Sequence, residues 1–135
     1  MTRVALCALL LLPAFAACGG DGPGAPETGG GSVPDAPPEA ITAADSGRSF
    51  ALDAGAEVPL RLSSEYLWSE PQVEGDAVEL SRVDYLQDPG FSEWIVLGVT
   101  PGTAAVSSLG EPACAGQHGC PDEPVRFLVT ITVAG

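Results

Sequence analysis

Residues 125–133 read Val-Arg-Phe-Leu-Val-Thr-Ile-Thr-Val, with apolar side chains at Val125, Phe127, Val129, Ile131 and Val133. An extended strand turns alternate side chains to opposite faces, so a period of two buries one face and leaves the other wet. The pattern recurs where Val58, Leu60 and Leu62 alternate with Glu57, Pro59 and Arg61. Pro59 lacks an N–H and predicts an edge position there. Further strands are expected at Arg48–Leu52, at Tyr66–Val73 with an interruption at Pro71, and at Ala77–Leu86. In the last of these Val78 and Leu80 point inward, followed after a bulge by Val83 and Tyr85. Glu93–Thr100, with Trp94 in the core, and Thr103–Leu109 complete the set. Asp53-Ala54-Gly55, Glu74-Gly75-Asp76, Asp88-Pro89-Gly90 and Pro101-Gly102 supply the turns between them,. No segment carries a helical period. About seven short strands in about 95 residues predict an all-β, immunoglobulin-like β-sandwich over residues 41–135.

The preceding residues cannot join that core. Arg3 is followed by an apolar stretch from Val4 to Phe15, then Ala16, Ala17 and Cys18. About 12 apolar residues cover roughly 18 Å as a helix, short of the roughly 30 Å of a hydrocarbon core. The pattern is that of a signal peptide over residues 1–17. Phe15-Ala16-Ala17-Cys18 resembles the bacterial lipobox, in which a peptidase cuts before a Cys that receives diacylglycerol. The resemblance implies lipidation at Cys18 and an extracytoplasmic protein held to a bacterial membrane by acyl chains. Seven Gly and five Pro among residues 19–40 leave no apolar periodicity, so 18–40 is expected to be a lipidated Cys and a disordered tether,.

Charge narrows the function. The chain has 18 acidic residues against five Arg and no Lys, a formal net charge of −13. A nucleic-acid partner is excluded, because that affinity rests on neutralising phosphates. A single His, no Lys and no Gly-x-Ser-x-Gly motif leave little for catalysis, so neither an enzyme nor a cofactor is expected,. Asp84, Asp88 and Glu93 flank a turn without a calcium-loop pattern and are read as a solvated acidic face,. With Cys7 in the signal peptide and Cys18 lipidated, Cys114 and Cys120 remain as partners for a disulfide, the natural outcome in an oxidising compartment,. Closing that seven-residue loop is worth about 2 kcal/mol by loop entropy. The competing reading is a metal site of Cys114, His118 and Cys120, which offers three ligands in no standard zinc spacing,.

Three landmarks carry a further likeness: Ser63-Ser64-Glu65-Tyr66-Leu67-Trp68, Val99-Thr100-Pro101-Gly102-Thr103-Ala104, and Arg126–Val133. In this order the domain resembles the chagasin-like family of cysteine peptidase inhibitors across roughly residues 45–134. The resemblance implies an immunoglobulin-like sandwich that pushes three loops from one end into the cleft of a papain-type peptidase. On the first loop Ser63 and Ser64 match two Thr of the family motif, Tyr66 its aromatic and Trp68 its Trp. Arg61 and Leu62 stand where Asn-Pro is usual, and Glu65 stands for a Gly. The second loop corresponds to Pro89, Gly90 and Phe91, and the third to Glu111 and Pro112 leading into the cysteine loop, without the family's Arg and Trp.

Two readings follow. The framework positions match more closely than the loops, so the first is a membrane-anchored β-sandwich binding or structural module with an unidentified protein partner. The second is an inhibitor of papain-type cysteine peptidases acting through the three loops. Tyr66 and Trp68, two apart on one strand face, are either core packing at the sandwich end or a binding platform.

Overall fold

The computed structural model describes residues 33–135. The signal-peptide assignment over 1–17, Cys18 and residues 19–32 of the tether lie outside the described residues. Among the described residues nine strands occur: β1 (Ile41–Thr42), β2 (Ser49–Asp53), β3 (Glu57–Ser63), β4 (Tyr66–Trp68), β5 (Gln72–Glu74), β6 (Val78–Val83), β7 (Phe91–Gly98), β8 (Gly102–Pro112) and β9 (Val125–Ala134). One sheet has the order β1-β3-β7-β6; the other runs β2-β9-β8-β4, with β5 also paired to β8. Most neighbours are antiparallel, but β1 joins β3 and β2 joins β9 in parallel, so both sheets are mixed.

The alternation seen in the sequence builds the core. Phe127, Val129, Ile131 and Val133 of β9 are buried with Phe50 and Leu52 of β2 and Val106 of β8. They face Val58, Leu60 and Leu62 of β3, with Trp94 and Val96 of β7. Trp94 is 2% exposed, and its indole N–H still finds an acceptor, Glu70 Oε1 at 3.0 Å. That bond meets the usual requirement for burying an indole.

The strand count exceeds seven for two reasons. Buried Pro71 splits the 66–73 run into β4 and β5, and Ile41-Thr42 adds a short strand before residue 48. β1 covers only Leu60 and Arg61 of β3, so among the described residues Pro59 is paired on one side alone, with Ile95. Other bounds shift in ways that matter for the loops. β6 ends at Val83, which puts Tyr85, expected inward, in a loop at 47% exposure, next to Leu86 at 106%. β8 continues past Leu109 to Pro112, carrying Glu111 and Pro112 onto a strand.

Within the segment 18–40 that the sequence assigns to a tether, Asp35 is engaged with the domain. Its N–H donates to Ser49 O (2.9 Å), its carbonyl accepts from Ala51 N–H (2.8 Å), and its carboxylate pairs with Arg48 (2.9 Å). Pairing with the outer edge of β2 therefore begins six residues ahead of Ile41. The physical reason is that β2 has β9 on one side only, so its other edge offers free main-chain groups,.

Candidate functional site

β3 ends at Ser63 opposite Phe91 of β7, and β4 begins at Tyr66 opposite Pro112 of β8. The turn Ser64-Glu65 therefore crosses from one sheet to the other at one end of the sandwich. The 84–90 loop lies on one side of it and the 113–124 loop on the other. Main-chain hydrogen bonds stitch all three: Ser64 N–H donates to Gly90 O at 3.0 Å, and Ala113 N–H donates to Glu65 O at 2.9 Å. The three segments singled out from sequence thus meet along one edge.

Their residues divide into tips and supports. Ser64 and Glu65 occupy a turn, Pro89 and Gly90 an irregular loop, and all four are exposed. Ser63, Tyr66, Trp68, Phe91, Glu111 and Pro112 sit on strand ends, with Glu111 exposed and Pro112 buried. Trp68 is a brace. Its indole N–H donates to Ser63 O at 2.9 Å, closing the turn from inside, and its ring packs against the core. The ring lies over Gly110 of β8, where a Cβ would come within 2.8 Å of it. Tyr66 is half-buried beside it, the rings 5.6 Å apart and tilted 53°. Leu67, on the opposite strand face, is exposed.

The second loop hangs on a buried carboxylate. Glu93 of β7 is 6% exposed, where the sequence suggested a solvated face. It accepts hydrogen bonds from Arg61 Nε of β3 and from Tyr85 OH (3.0 Å). Arg61 in turn lies 5.2 Å from the Phe91 ring centroid, and Tyr85 meets that ring edge-on. The hydrogen bond to Glu93, with some desolvation, raises the Tyr85 pKa above its ordinary 10.0,. Asp88 bonds Gly90 N–H locally and Asp84 pairs with Arg82, so the three acids of the turn have separate partners. Leu86 is left fully exposed at the loop tip. Sequence reasoning missed it by running β6 to ten residues, about twice the usual strand length.

In the third loop Cys114 and Cys120 are joined by a disulfide, which takes two of the three donors of the competing metal reading; His118 is exposed. Two successive turns fold the loop, closed by Gln117 N–H to Cys114 O (2.9 Å) and Cys120 N–H to Gln117 O (3.3 Å). Gly116 and Gly119 take the third positions at φ +85° and +80°, values that L side chains rarely adopt,. Between this loop and the first lies a cavity of about 430 Å³, lined by Glu65, Tyr66, Ala113, Cys114, Gln117 and Pro121. Gln117 falls within the expected third loop, which runs from Glu111 to Cys120; Pro121, just beyond it, carried no signal in the sequence. The whole end is acidic, with Glu65, Asp84, Asp88, Glu111, Asp122 and Glu123 all exposed.

No family model matches the sequence, and no curated protein is similar to it. Solved structures are similar. The cysteine protease inhibitor EhICP2 from Entamoeba histolytica superposes with a TM-score of 0.51 at 14% identity, over 71% of this chain and 94% of that one. Amebosin gives 0.46 at 14% identity, over 70% and 96%. PbICP-C, solved in complex with falcipain-2, gives 0.44 at 12% identity, over 76% and 95%. At such identities the likeness to EhICP2 shows a shared fold, the immunoglobulin-like sandwich expected from the sequence.

Proposed function

We propose that this sandwich is a protein-binding module that inhibits a papain-type cysteine peptidase by inserting its three-loop end into the cleft. The observation that carries the reading is the Ser64-Glu65 turn, bonded through its main chain to the loops on both sides. An edge held in this way loses little conformational freedom on docking, which is where binding energy is usually lost. Two further points support it: EhICP2, of the same fold, is a cysteine protease inhibitor, and the residues that resemble the first chagasin-like loop lie at this end. The action needs no chemistry from this chain. Ser64 and Glu65 enter the cleft, Leu86 and the cysteine loop rest on its two walls, and substrate is shut out.

The test is a titration of residues 33–135, which contain the whole described core, against papain-type peptidases. Inhibition is expected, weakened by at least about 100-fold in Ser64→Asp, because a central tip residue carries a large share of such an interface. No inhibition at roughly 100 µM, an affinity too weak to be specific, overturns the proposal. The second reading, a module for a different protein partner, draws on Glu65, whose side chain stands where the family places a Gly that lets the loop approach closely,.

Residues 1–18 support a bacterial lipoprotein, anchored outside the cytoplasm through Cys18, with the loops presented above the membrane. The peptidase met there is one that accepts an acidic, Lys-free surface.

A further inference from the structure

We propose that the cavity between the first and third loops is a receptor for an arginine side chain of the bound partner. This deepens the reading above and rests on it for the partner's identity. The cavity is lined by Tyr66, Ala113, Cys114 and Pro121, and by two residues with polar side chains, Glu65 and Gln117. Among the described residues neither of these two side chains has a hydrogen-bond or ion-pair partner. Three of the four Arg in residues 33–135 are engaged elsewhere: Arg48 with Asp35 and Asp45, Arg61 with Glu93, and Arg82 with Glu70 and Asp84. Arg126 lies on β9, among the residues of a different cavity. Glu65 is exposed and has no basic partner among the described residues, so it is open to pairing with a cation from outside,.

An arginine fits each feature. Its methylene stem covers the apolar wall, its guanidinium plane stacks on Tyr66, and its N–H fork reaches a carboxylate in paired fashion. Glu111, Asp122 and Glu123, exposed on the same loop end, add a field of the right sign,. The disulfide holds the third-loop wall in place without a partner.

The experiment separates the pocket from the inhibition. Residues 33–135 are titrated with N-acetyl-arginine amide and, in parallel, with N-acetyl-citrulline amide, which has the same shape and no charge, while NMR follows the amides of Glu65, Tyr66 and Gln117. Arginine is expected to shift these signals and to bind about threefold to fivefold more tightly than citrulline, as for a partly exposed ion pair. Glu65→Gln is expected to abolish the difference, and Gln117→Ala to weaken both ligands. Equal binding of the two amides, or a preference that survives Glu65→Gln, overturns the pocket. Inhibition of a peptidase with no arginine preference removes the pocket and leaves the inhibitor reading; an arginine preference with no inhibition does the reverse.

Discussion

Glu93 shows how one residue sets the position of a loop. Its carboxylate is buried but has two donors, Arg61 and Tyr85, so the cost of removing a charge from water is offset by paired hydrogen bonds,. Tyr85 keeps its proton more firmly in the folded chain than in the unfolded one. The contribution of this bond to stability is therefore complete below pH about 10 and is lost as pH rises through the higher folded pKa,. An ultraviolet titration should show one tyrosine ionising above its ordinary value in the wild type and falling back in Glu93→Gln; identical curves would show that the bond is not made. Neither partner was legible locally. Arg61 and Glu93 are 32 residues apart, and only the pairing of β3 with β7 brings them together.

At the scale of the element, β8 carries the most. It pairs with β9, β4 and β5, and its Gly110 gives Trp68 a bare backbone to lie on. Gly110→Ala would drive the indole away and break its bond to Ser63 O. The expected cost is on the order of 1–3 kcal/mol, as for overpacking at a close contact, and should be read as a lower thermal midpoint with altered tryptophan fluorescence. Unchanged stability would mean that the ring is not seated there. The strands themselves were legible wherever one face is buried, as in β3 and β9, because burial imposes the period of two. Their ends were less so. Glu111 and Pro112 read as loop in isolation, yet pairing with Leu67 and Tyr66 keeps them in the sheet.

At the scale of the whole molecule, the proposed anchor and the proposed binding end fall to different segments. The lipoprotein proposal predicts that Cys18→Ala moves the protein from the membrane fraction to the soluble one on cell fractionation; retention in the membrane fraction would refute it. A net charge of −13 bears on the partner that the loop end can meet, since like charges facing one another across a contact disfavour docking,. The sequence by itself determined the all-β class and the inward faces of the main strands, and it favoured the pairing of the last two cysteines, which the structure then joins. Each of these follows from short-range periodicity or from elimination among few residues. Tertiary structure alone decided which main-chain bonds join the turns after β3, β6 and β8, that Glu93 is buried, and that Glu65 and Gln117 line one cavity. These depend on contacts between residues far apart in the chain, and a local pattern carries no record of which strand will lie beside which.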